Sequence, residues 1–314
     1  TSLHLRRKWK QERKDMEFPI RRFHLNRLQL TELLNKLPEI ERLGLMTQDE
    51  LPDLVSLKLF ADGSFGSYTA KVSKPYSGDQ GRGIFYDTIK EMNQAMRLAA
   101  EHGIFSVAMH GIGDSGIHRA IGTARHWIKL GDTMKFDPHF RIEHFELPLP
   151  FEKTLKDVKN IGIWVTPQPN FLLDYIYEDR LGERIRWICP HREIVNAGIP
   201  MMFGTDGMPS SMLFAIYLAT HAEHTHQRLT FKDALLASTL TVSHFESDLR
   251  GALKEGYKAD IIVADPKLIR ELADGDADVR SYEQGDTANQ KVAELESTIQ
   301  RVYKNGVEVY HRES

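Results

Sequence analysis

The chain has 314 residues, 41% of them hydrophobic, and a formal net charge of -3. That is enough apolar material for one large domain or two smaller ones, and the charge balance gives no electrostatic reason to expect nucleic acid as a partner. One cysteine, Cys189, excludes an internal disulfide and fits a reducing, cytoplasmic compartment, and no apolar run approaches the roughly 18 residues of a membrane span.

The chain starts at Thr1 without a methionine, and its basic beginning, Arg6-Arg7-Lys8, is followed by no apolar core, so the expectation is that this stretch is not a signal peptide. Residues 3–15 read as an exposed charged helix, and the expectation is a piece of a longer protein. Residues 18–25 alternate as a strand would. Leucines and an isoleucine at helical spacing over 31–45, with Thr31 as N-cap and Gly44 as stop, predict a helix. A strand over 55–60 follows, then a glycine- and serine-rich turn and a polar loop reaching Gly83, long enough to be functional.

The alternation continues with a helix over 87–102 and the strand Ser106-Val107-Ala108-Met109-His110, which ends in a histidine and a glycine-punctuated turn. A helix over 116–130, a strand ending at His144, a helix over 150–159 and a strand over 162–169 come next. The pattern then predicts one helix over 180–197 and a strand over 199–207 ending in Gly204-Thr205-Asp206-Gly207. An alanine- and leucine-rich helix runs to about Thr241. After a strand at 261–264, the polar stretch 272–296 reads as a surface loop or mobile insert, and Asn305-Gly306 between two alternating runs is a strong hairpin signal.

Strands alternating with helices imply a parallel sheet, open or closed. Polar residues at the ends of at least four strands favour the barrel, which keeps its chemistry at the C-terminal ends of its strands. The fold expected is thus α/β, a partial (β/α)8 TIM-type barrel over 1–250, with 251–314 a return to a small β-sandwich.

His110 or His144 alone reads more readily as a satisfied structural histidine than as a ligand. Taken with Lys58 and Asp206 at equivalent strand ends, they point to a site. Asp206 suits metal ligation or general-base work on a metal-bound water. Lys58, inside an apolar run, is either a carbamylated bridge between two metals or the partner of a carboxylate such as Asp62. The cluster His221, His224, His226 lacks the H-E-x-x-H order and reads as solvated or interfacial. No G-x-S-x-G, G-x-G-x-x-G or P-loop pattern is present.

The stretches Leu57-Lys58-Leu59-Phe60-Ala61-Asp62-Gly63-Ser64, His110-Gly111-Ile112-Gly113-Asp114, Arg141-Ile142-Glu143-His144, Gln168-Pro169 and Gly204-Thr205-Asp206 resemble the successive motifs of the amidohydrolase 3 group, the YtcJ-like branch of the metal-dependent amidohydrolases. The resemblance runs from about Phe18 onward. It implies the barrel and split sandwich, and hydrolysis of C–N or C–O bonds in a small-molecule substrate by a metal-activated water, with one or two divalent ions, zinc by default. His110 and His144 would ligate one metal. Asp206 would ligate the other and shuttle the proton, Lys58 would sit at the bridging position, and Gln168 and Asp62 would face the substrate. The family's His-x-His strand has no counterpart before Lys58: His4 is followed by Leu5-Arg6 and His24 by Leu25-Asn26. The expectation is a C-terminal portion with an incomplete site, exposed barrel edges and a tendency to form a homodimer. The alternative is a non-catalytic relative that binds or regulates.

Overall fold

The computed structural model describes residues 22–173, 176–207, 209–273, 279, 282 and 286–312. The charged helix expected over 3–15 lies outside them. The chain divides into two compact units, one of residues 1–73 and 82–143, the other of 74–81 and 144–314.

The first unit runs β1 (Phe23–Leu25), α1 (Arg27–Arg42), β2 (Val55–Phe60), α2 (Ile89–Glu101), β3 (Ser106–Gly111), α3 (Asp114–Met134) and β4 (His139–His144), of which the last residue, His144, belongs to the second unit. The helix α1 begins four residues before the expected Thr31. Asn26 accepts the amide of Gln29, and the Gln29 side chain accepts the amide of Asn26, a reciprocal cap. Thr31 instead turns its hydroxyl back to the Arg27 carbonyl. The helix α2 uses the same device, with Thr88 and Glu91.

The four strands follow one another across the sheet in chain order. β1 pairs parallel with β2, and β2 with β3, in a register that sets His24 beside Ser56, Lys58 beside Ala108 and Phe60 beside His110. Side chains alternate between the two faces of a strand. Val55, Leu57, Leu59, Val107, Met109 and Ile142 take one face and are buried, where α1 and α2 pack on β2 and α3 packs on β3. Burying each such side chain stabilises by about 1.5–3 kcal/mol. The other face carries His24, Ser56, Lys58, Phe60, Ser106 and His110, with Arg141 and Glu143 from β4. Arg141 Nη2 lies 3.2 Å from His24 Nε2 although β2 and β3 stand between their strands. With strands ~4.8 Å apart, that contact requires the sheet to curl around its polar face, as a barrel wall does.

The second unit contains α4 (Phe151–Ile161), closed by Gly162 at φ 78°, β5 (Trp164–Thr166), α5 (His191–Asn196), α6 (Met212–His221), α7 (Phe231–Ser238) and α8 (Leu240–Phe245). The strand expected over 199–207 contracts to one parallel bridge, Val165 to Met201, flanked by Val165 N–H to Pro200 O and Met202 N–H to Val165 O. Gly204 N–H still reaches the Pro167 carbonyl in step with this pairing, but Pro167 has no amide to return a bond, and Phe203 donates on its other side to Ala237. The single helix expected over 180–197 is three pieces. Gly182 at φ 54° and Cys189 at φ 48° interrupt it, and Pro190 has no amide to continue it.

The tail adds β6 (Ile261–Ala264), α9 (Pro266–Ala273), α10 (Asp286–Glu296), β7 (Ile299–Lys304) and β8 (Val307–His311). The three strands form an antiparallel sheet in the order β6-β7-β8, and Asn305 and Gly306, at φ 51° and 81°, make the expected hairpin turn. The stretch read as a loop or mobile insert holds α10 instead. Its Ala288, Lys291 and Leu295 are buried against α6, whose residues 214–221 are buried all round. The Lys291 ammonium sits 3.1 Å from both Glu271 and Glu294 and 4.7 Å over the Tyr217 ring, so its charge is matched while its stem packs.

Candidate functional site

His110 stands near the C-terminal end of β3, its side chain mostly buried. Its Nε2 is 2.9 Å from the carbonyl of Gly63. A carbonyl only accepts, so Nε2 carries the hydrogen and Nδ1 carries the lone pair. Burial pushes the imidazole pKa down to about 4, the Lys58 charge adds to this, and the Gly63 bond and Glu143 oppose it. The ring is therefore neutral near pH 7. A neutral imidazole whose far N–H is held by a carbonyl is the arrangement of a metal-ligating histidine. The Phe60 ring lies 5.6 Å from the His110 ring, and Lys58 Nζ lies 5.4 Å from Phe60.

Asp62 follows β2 and is fully buried. Its carboxylate accepts the amides of Lys71 at 2.8 Å, Gly113 at 2.9 Å and Ile112 at 3.1 Å. Burial outweighs those bonds and raises its pKa to about 7, with Asp114 adding to the rise. The expectation that Asp62 faces a substrate thus meets a carboxylate enclosed by main chain. Beside it, the Lys71 carbonyl accepts the amides of Ser115 and Gly116 in the first turn of α3, and Asp114 accepts the amide of Ser73 at 2.7 Å and its hydroxyl. The free amides of a helix start are satisfied here by a different segment. A methyl on Gly113 would overlap the Lys71 carbonyl, and one on Gly116 would overlap Asp62.

Arg141 and Glu143 are paired at 2.7 Å with both side chains nearly buried, and Arg141 also reaches His24. Neither residue stands among the site residues expected from sequence. Their signal is two charges at alternate positions of a strand, each flanked by an apolar residue, Phe140 and Ile142.

The second unit holds the remaining expected residues. His144 ends β4 at φ 73°, with Phe145 at 51°, two consecutive left-handed non-glycine residues. Such backbone costs on the order of 1 kcal/mol or more per residue and clusters at functional sites. The His144 ring packs edge-on against Phe171 at 6.0 Å. Gln168 is buried and donates to the Thr166 carbonyl at 2.9 Å, while its Oε1 has no hydrogen-bond partner among the described residues. A buried acceptor left so costs about 1–3 kcal/mol. Asp206 is exposed in a left-handed turn, φ 48°, next to Gly207 at 77°. Lys58, Asp62 and His110 thus stand in one unit, and His144, Gln168 and Asp206 in the other. Among the described residues no group of three or more His, Cys, Asp or Glu side chains is placed to hold a metal ion.

His221 is neither solvated nor interfacial. It is buried, stacked 4.1 Å from the Tyr217 ring, with Nδ1 2.9 Å from the Tyr217 carbonyl.

The model of the amidohydrolase family matches residues 18–310. The chain belongs to that family. A Bacillus subtilis (strain 168) protein, YtcJ, which carries the name of an amidohydrolase, is 26% identical over 227 residues, 66% of this chain and 41% of its own length. Among solved structures, an uncharacterized metal-dependent hydrolase from Pyrococcus horikoshii OT3 superposes with a TM-score of 0.56 at 25% identity, covering 81% of this chain and 61% of its own. Another from Pyrococcus furiosus gives 0.57 at 22% identity, with the same coverage. Aspergillus niger ochratoxinase gives 0.53 at 17%, covering 88% of this chain and 55% of its own. This amidohydrolase-family chain therefore has the fold expected, a partial (β/α)8 barrel with a C-terminal antiparallel sheet, and spans under two thirds of the length of these relatives.

Proposed function

We propose that the protein is a hydrolase of C–N, amide-like, or C–O bonds that works through a water activated by a divalent metal, zinc being the first choice for nitrogen and oxygen donors. The observation that carries this reading is the Nε2–H of His110 held on the Gly63 carbonyl, which presents Nδ1 as a lone pair at the end of a parallel barrel strand. The family match and the metal-dependent hydrolases that share the fold support it. In this reading His110, His144, Asp206 and Lys58, the last as a carbamate, would hold the metal. A bound divalent ion acts as a Lewis acid and lowers the pKa of its water toward neutrality.

The chain's own groups have definite tasks. Asp206, exposed on its turn, accepts a proton from water and returns it to the leaving group. Gln168 offers its unsatisfied Oε1 to a donor on the substrate. Phe60, beside His110, limits water around the imidazole. The substrate is a small molecule, and we place the protein in the cytoplasm. No helix among the described residues is long and apolar enough to cross a membrane.

One observation favours a second reading, a non-catalytic binding or regulatory protein: the described residues bring no three metal donors together. A panel of amides and esters, assayed with the metal-supplemented protein, separates the two. The enzyme reading expects turnover that falls about 10²–10⁴-fold in Asp206→Asn, the usual worth of a proton-transfer group. Turnover equal in both proteins would remove Asp206 from the mechanism, and no turnover on any member would favour the binding protein.

A further inference from the structure

We infer that Asp62 is a positioning residue for His110: its enclosed carboxylate ties the segment after β2 to the turn after β3, and so fixes the Gly63 carbonyl that orients the imidazole. The inference deepens the reading above, since His110 is the ligand it serves, but its test reads His110 directly and does not depend on turnover.

Three independent amides, from Lys71, Ile112 and Gly113, converge on one buried carboxylate. Two of them belong to the turn that leaves β3 immediately after His110, and the third to the segment that leaves β2. The residue following Asp62 is Gly63, whose carbonyl takes the His110 proton. The His110 ring is thus gripped from its own strand and from its neighbour, and Asp62 is the junction of the two grips. Asp114 adds a second latch through Ser73. The carboxylate also lies at the start of α3, where the helix dipole favours negative charge. An amide at position 62 would turn an NH2 group toward main-chain N–H donors and open the junction.

The test is the nitrogen-15 spectrum of histidine-labelled full chain, with His110 assigned by its disappearance in His110→Gln. In the unsubstituted protein the account expects a protonated Nε2 and an unprotonated Nδ1 held as one tautomer. Asp62→Asn should move both signals toward the averaged position of a mixed pair. Val107→Ala, on the opposite face of β3, supplies comparable destabilisation and should leave them in place. If Asp62→Asn fails to fold, Gly116→Ala, whose methyl presses on the same carboxylate, should move the signals likewise. A protonated Nδ1 in the unsubstituted protein overturns the inference, as do His110 signals left unchanged in either folded variant.

Discussion

His191 shows how burial fixes a single residue's chemistry. It is fully buried, and neither ring nitrogen has a hydrogen-bond partner among the described residues. Burial first, and the neighbouring His226 second, push its pKa from the ordinary 6.5 down to about 3. Between those values the unfolded chain takes up a proton that the folded chain refuses, so stability falls as pH falls. The contribution is complete above the unfolded value and drains toward the folded one, at up to about 1.4 kcal/mol per pH unit. Urea denaturation at about pH 7 and about pH 5 should therefore show a smaller acid loss in His191→Phe, by roughly 2 kcal/mol. Equal losses in both proteins would mean that His191 takes up its proton in the folded state. The same scale shows what sequence could and could not supply. Lys58 and His110 were legible because a polar side chain interrupts an apolar run. The enclosure of Asp62 was not, because its amide donors Ile112 and Gly113 lie some 50 positions away and backbone amides carry no residue-type signal.

At the scale of elements, the strands β2, β3 and β4 stand where alternation put them, since each buries one face under helices. The departures share a cause in tertiary hydrogen bonding and packing. Asn26 displaced Thr31 as a cap because Gln29 stands three residues on to reciprocate. The ladder of the 199–207 run stops at Pro167, which accepts from Gly204 but has no amide to donate back. The helix α10 was hidden by composition: among many acidic residues, its buried positions Ala288, Lys291 and Leu295 include a lysine and only one large apolar side chain. That single leucine is fully buried, so Leu295→Ala should cost about 2–5 kcal/mol in chemical denaturation. A cost below about 0.5 kcal/mol, the range of an exposed surface change, would contradict the docking of α10 on α6.

For the whole molecule, the fold was the most legible part, because a parallel sheet demands helical crossovers and both leave periodic patterns. The site was legible only as separate strand ends, since no pattern within a strand states which ends converge. If His110 is a ligand of a functional metal, loading the protein with zinc and measuring the metal it holds will show it. The unsubstituted chain should retain metal through gel filtration, and His110→Ala, shown to be folded by circular dichroism, should retain at least tenfold less at the same free zinc, the loss expected when one ligand is removed from a site. Equal retention by the two proteins, or none by the unsubstituted chain, would contradict it.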